Sequence, residues 1–146
     1  MTQIADHVAE FKAMAENLPA TRRFSDADLE TLYAIAYASY QQGRYARAAS
    51  HFGQLTVYRP TSARFLKGQA ASQFMARMYQ EAAATYAFTL LLHPTDVEAL
   101  CMYAHSLLLT GRKEAAVDAL HRALAVEGGA VEFRNRAKAL LELVAA

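Results

Sequence analysis

Along Leu29–Pro60 the apolar positions keep a helical beat. Leu32, Ile35, Ala36, Ser39 and Tyr40 fall at i, i+3, i+4, i+7 and i+8, a spacing that gathers side chains on one face of a 3.6-residue turn. Gly43 interrupts the pattern, which resumes at Tyr45, Ala48, Phe52, Leu55 and Tyr58 before Pro60 closes the stretch. Two amphipathic helices separated by a glycine and ended by a proline predict a helix hairpin. Such a unit cannot bury its apolar face alone, so it should recur.

It recurs at a spacing of 34 positions. Ala48 becomes Ala82 and then Ala116, Phe52 becomes Tyr86 and Leu120, and Tyr40 becomes Phe74 and Leu108. Pro60 returns as Pro94 and then gives way to Gly128, while Gly43 maps to Arg77 and returns as Gly111. That period, with small residues near the helix crossing and a terminal proline, is the signature of a tetratricopeptide repeat (TPR). Ala36, Ala70 and Ala104, set against Ala48, Ala82 and Ala116, are the small residues that let paired helices approach closely.

The predicted architecture is all-α: three tandem hairpins forming an α-solenoid, with a helix before and a capping helix after. Residues 1–24 form the N-terminal helix and linker, 25–129 the three repeats (29–62, 63–96 and 97–129), and 130–146 the C-terminal cap. Within these, the spacing predicts helices over 2–18, 26–41, 45–58, 62–76, 79–92, 96–109, 113–126 and 130–146. Ser25 followed by Asp28 reads as a capping box with Asp in place of Glu. Thr61 and Thr95 are placed to cap the second and third repeats. In the last helix Val131, Ala137, Leu140, Leu141 and Val144 share one stripe, with Arg134, Arg136 and Lys138 expected on the polar face that a terminal unit presents to water.

In a solenoid of this kind the first helix of each hairpin lines the concave groove. The repeat phase assigns Tyr33, Tyr37 and Tyr40 to that groove in repeat 1, Arg64, Lys67 and Phe74 in repeat 2, and Cys101, His105 and Leu108 in repeat 3. Positions 32, 35, 36 and 39 already supply the buried stripe. The three tyrosines are therefore either interhelix core with wet hydroxyls or a peptide-binding wall. The surplus of aromatics over what packing requires favours the wall, since tyrosine combines rigid contact area with a hydrogen-bonding tip.

Composition narrows the function. Fifteen Lys and Arg against fourteen Asp and Glu leave a formal charge of +1, which signals neither a nucleic-acid groove nor an anionic membrane partner. No apolar run approaches the roughly 20 residues of a spanning helix, and the first residues lack the apolar core of a signal peptide. A cytoplasmic location is expected. Cys101 is the only cysteine, so an intrachain disulfide is excluded. His7, His51, His93, His105 and His121 are scattered, without metal-ligand spacing or a catalytic companion. Cys101 and His105, four apart, lack an orienting acid and an oxyanion site, and the thiol is expected to line the groove. Neither enzyme activity nor a cofactor or metal is expected.

Leu29–Ala48 (L-E-x-L-Y-x-I-A-Y-x-x-Y-Q-Q-G-R-Y-x-x-A), continued through Phe52, Leu55, Arg64-Phe65-x-x-Gly68, Ala70, Ala104, Leu107-Leu108 and Gly111, resembles the class II chaperones of bacterial type III secretion, the SycD/LcrH/CesD-like group. The resemblance covers about four fifths of the chain. It implies a cytoplasmic chaperone that holds an extended segment of a hydrophobic translocator, often of P-x-L-x-x-P pattern, and keeps the client soluble and secretion-competent. Tyr33, Tyr37 and Tyr40 match the family's groove tyrosines, with Phe65, Phe74 and Leu108 completing apolar pockets. It also implies a homodimer, with Ile4, Val8 and Phe11 as candidate contacts. Arg77 at the turn-glycine position and Ala70, where several relatives carry glycine, are departures that predict a different shape in mid-groove. The alternative is a general TPR scaffold or adaptor, with a transcription co-regulatory role open to it.

Overall fold

The computed structural model describes residues 2–146. Its helices are α1 (Thr2–Glu16), α2 (Asp26–Gln41), α3 (Tyr45–Tyr58), α4 (Ala63–Met75), α5 (Tyr79–Leu92), α6 (Val97–Leu109), α7 (Lys113–Ala125) and α8 (Val131–Ala145), with a short 3-10 turn at Pro19–Arg22. The chain packs as consecutive hairpins. In addition α2 touches α4, α4 touches α6 and α6 touches α8. One row of helices is thus drawn together, and α3, α5 and α7 stand behind it. That asymmetry curves the solenoid and places its concavity on the row α2, α4, α6 and α8.

The hairpins close at alanine. Ala36 and Ala48, Ala70 and Ala82, and Ala104 and Ala116 are all fully buried, where nothing larger than a methyl separates the backbones. Around them lie two apolar clusters. Leu29, Phe52, Leu55 and Phe65 anchor the first repeat, and Tyr86, Leu100, Leu107 and Leu120 anchor the rest, joined by Ala137 and Leu140 of α8.

Helix starts follow local chemistry. Ser25 and Asp28 form the reciprocal capping box. The second and third repeats start one residue later than the sequence spacing suggests: Ser62 and Asp96, not Thr61 and Thr95, accept from Phe65 N and Ala99 N. Serine and aspartate have the better capping oxygens, and Thr61 instead directs its hydroxyl to Glu16. Helix α1 also ends early, at Glu16. The Asn17 side chain donates to the carbonyl of Ala13 at 2.7 Å, and the buried Thr21 hydroxyl donates to Leu18 and Glu16 carbonyls. Arg59 fastens this linker to the end of α3, donating to the carbonyls of Thr21 and Phe24 and pairing with Asp26.

The inter-helix turn survives without its glycine in repeat 2. Arg77 takes φ +64°, close to Gly43 at +75° and Gly111 at +82°, so the change of residue leaves the turn's shape intact. A side chain in the left-handed region costs about 1–2 kcal/mol. Arg77→Gly is expected to raise the unfolding free energy by about 0.5–1 kcal/mol after glycine's own entropic cost. Gly43→Ala should lower it by about 1 kcal/mol. Urea titrations read both as shifts of midpoint at unchanged slope.

Candidate functional site

The helical phase of α2 turns Tyr33, Tyr37 and Tyr40 toward the concave face. Tyr33 is the hub. It meets Phe52 edge-on at 5.6 Å, leans on Phe65 at 5.9 Å and stacks with Tyr37 at 6.2 Å, while the Arg64 guanidinium lies 4.1 Å above its ring. Arg64 also pairs with Glu30. Tyr37 remains 47% exposed, so this arrangement leaves a large aromatic face open to water beside a braced one.

Two adjoining clefts run along the groove. The first, of about 210 Å³, lies among Tyr33, Tyr37, Tyr40, Phe52, Gly68 and Ala71. Gly68 is required there: a Cβ would stand 2.5 Å from the buried Phe52 ring. The second, of about 170 Å³, lies among Tyr40, Phe74, Met75, Met102, Phe133 and Arg136. Tyr40, Ala71 and Glu98 border both. Apolar walls with a few polar groups, open to solvent, make these clefts the candidate binding site.

Lys67 forms the polar centre, its ammonium 3.0 Å from Asp96 and 2.9 Å from Glu98. Burial by itself would lower the ammonium pKa, but the hydrogen bonds to Glu98 and Asp96 outweigh it, and the net shift is upward. Asp96 is simultaneously the cap of α6, so the charge pair and the helix start are fixed together. The phenol of Tyr40 is shifted upward by burial and then by Tyr45 and Tyr37. It is a neutral hydrogen-bonding group at physiological pH.

The remaining expected groove residues divide. Phe74 packs against Tyr79 and His105 at 5.3 and 4.9 Å, and Leu108 is half-buried against the C-terminal core. Phe65 is nearly closed off, supporting Tyr33 from behind. Cys101 does not line the groove: its thiol is fully buried, in the core that α6 shares with Ala137 and Leu140 of α8. Burial pushes that thiol up to about 11, away from nucleophilic use. Ile35, expected in the buried stripe, is 48% exposed. Among the candidate dimer contacts, Ile4 is 64% exposed, whereas Phe11 meets Phe88 of α5 edge-on at 5.8 Å. Among the described residues no three His, Cys, Asp or Glu side chains converge as metal ligands.

The contribution of α8 escaped the sequence reading. Arg136, which the apolar spacing puts on the solvent face, lines the second cleft with Glu132 and Phe133. Its neighbour Arg134 folds back to hold the carbonyls of Leu124, Val126 and Gly128. A signal existed: one more repeat period carries Glu98 to Glu132 and Met102 to Arg136. Helix α8 thus stands as the first helix of a further repeat, not only as a cap.

The family model for a tetratricopeptide repeat matches residues 29–61. Among curated proteins no sequence matches the chain. Among solved structures, the type III secretion chaperone SycD of Yersinia enterocolitica, in complex with a peptide of the translocator YopD, is 26% identical with a TM-score of 0.77. The alignment covers 84% of this chain and 96% of that one. PcrH from Pseudomonas aeruginosa is 26% identical with a TM-score of 0.79 over 84% and 96% of the two chains. PcrH in complex with the chaperone binding region of PopD gives 25% and 0.78, over 84% and 95%. The Sgt2 TPR domain of Aspergillus fumigatus, at 14% identity and a TM-score of 0.72 over 81% and 80%, shares the fold alone. The chain is a TPR protein that matches type III secretion translocator chaperones in structure over most of its length.

His105 gives the site a pH signature. Burial, and then the Arg136 charge, lower its pKa below 6.5, so the folded protein favours the neutral ring. The unfolded chain takes up the proton first on acidification. The stability is therefore complete above pH 6.5 and is lost as pH falls from there toward the depressed folded value. Urea unfolding at pH 7.5 and 5.5 should show a loss in the native protein that is smaller in His105→Gln.

Proposed function

We propose that this protein is a cytoplasmic chaperone of type III secretion translocators, binding an extended apolar client segment in its concave groove. The observation that carries the reading is the pair of adjoining aromatic clefts on the inner row of helices. They occur in a chain built like chaperones solved with translocator segments, SycD with a YopD peptide and PcrH with the chaperone binding region of PopD. Translocators are hydrophobic on this reading, and a preformed groove that covers their apolar anchors keeps them soluble until secretion. Because the helices are already packed, little order is lost on the protein's side when a client binds.

Specificity comes from the spacing of the two clefts, and affinity from the anchors that fill them. Tyr33, Tyr37, Tyr40 and Phe74 are the contacting aromatics, Arg64 and Lys67 the polar rim and centre, and Phe65 and Leu108 the packing behind. A homodimer forms through α1, led by Ile4 and Val8, with Phe11 partly committed to Phe88. The function is sequestration without catalysis.

Fluorescence anisotropy with a labelled P-x-L-x-x-P peptide and its scrambled control tests the groove. Saturable binding of the first is expected, and Tyr37→Ala should weaken it by roughly 1–3 kcal/mol, as for an aromatic interface anchor. Because Tyr37 is nearly half exposed, the variant should keep native helicity by circular dichroism. Equal binding of both peptides, or of neither, would remove the chaperone reading and leave a general TPR scaffold.

A further inference from the structure

Arg64, Lys67 and Arg136 supply cations to the concave face, and two of them are matched within the chain. Arg64 pairs with Glu30 at one end, and Lys67 with Asp96 and Glu98 at the centre. Arg136 differs. It is half-buried in the second cleft, beside Tyr40, Phe74, Met102 and Phe133. Among the described residues it makes neither an ion pair nor a side-chain hydrogen bond. Two carboxylates share that cleft without pairing to it: Glu98, which is held by Lys67 at 2.9 Å, and Glu132, one turn away on α8 and open to solvent.

A guanidinium has five donors in a planar fork and no means of losing its charge. Because Arg136 is only half-buried, those donors are within reach of solvent water. A client side chain that fills the space between Phe74, Met102 and Phe133 expels that water and leaves the fork to be satisfied by the client itself. The charge already reaches its surroundings, moving the ionisation of Tyr40, Tyr86, Cys101 and His105. At the centre of the groove the cation is already matched, since the Lys67 ammonium is held by two carboxylates at 3.0 and 2.9 Å.

Resting on the chaperone reading above, we propose that Arg136 is a selectivity residue that pairs with an acidic side chain of the client, next to the apolar anchor in the second cleft. A client acid is favoured at the α8 end and disfavoured at the Lys67 centre. The groove therefore reads the order of charge along the segment as well as its apolar spacing, and this sets the direction in which the segment lies.

The probe is the labelled P-x-L-x-x-P peptide carrying a single Asp, Asn or Lys at each flanking position in turn. At one flank Asp should bind about five- to tenfold more tightly than Asn, with Lys weaker still, the effect of one charge-assisted pair. That preference should shrink on raising salt from 50 to 500 mM. Arg136→Gln should abolish the difference between Asp and Asn while leaving the Asn peptide within about twofold, which also confirms an intact groove. Arg136→Glu should reverse the order in favour of Lys.

Uniform affinity at every flanking position, or an Asp preference that survives Arg136→Gln, overturns the assignment and leaves the groove reading standing. Equal weakening of all three peptides by Arg136→Gln also overturns it, since the fork would then be holding main-chain carbonyls. Absence of saturable binding by any peptide overturns the assignment and the chaperone reading together.

Discussion

Everything functional in this protein depends on how closely the two helices of each hairpin approach. Alanine at the three crossings, fully buried on both sides, lets the backbones close up, and once they are close the helical phase is no longer free. Only one face of α2 can meet α3, so Tyr33 and Tyr40 stand at the edge of that contact, against Phe52 and Tyr45 of α3, and Tyr37 projects beyond it into the groove. A larger residue at Ala36 or Ala48 would spread the hairpin, rotate α2 and scatter the three tyrosines before any of them was altered. Packing at the crossing and chemistry in the groove are thus one constraint seen from two faces.

The fold was legible because it is periodic. A pattern repeated three times overrides local ambiguity, so the helices fall within a residue or two of their expected limits at most ends. The misses have local causes. Ser62 and Asp96 displaced the neighbouring threonines as caps because a better acceptor stood one position later. Helix α1 stopped at Glu16 because Asn17 and Thr21 offer side-chain hydrogen bonds to the backbone, a competition that apolar spacing does not register. The Arg59 clamp spans more than thirty residues, and no windowed pattern contains it.

The groove was legible in its first half and obscure in its second. Tyr33, Tyr37 and Tyr40 could be placed from phase alone, since two helices suffice to orient them. Cys101 and Arg136 could not, because their environments depend on where α8 lands. Treated as a cap, α8 was assigned one apolar face and one wet face. Packed as the next inner helix, it covers Cys101 on one side and lends Phe133 and Arg136 to the cleft on the other. The error was one of role rather than of secondary structure.

That double use of α8 bears on how such a groove acquires selectivity. The three repeats are bound by their consensus: the crossing alanines and the core aromatics leave few positions that can change without loosening the stack. Helix α8 packs chiefly on α6 and α7, and the side turned away from them is less constrained. Polar groups that would be costly in mid-stack can stand at its edge, half in water, as Arg136 does. On the proposed function, α2 and α4 would supply general aromatic affinity and α8 the charge that distinguishes one apolar segment from another. On that proposal discrimination falls to α8, where a polar side chain at the edge of the cleft disturbs the packed hairpins least.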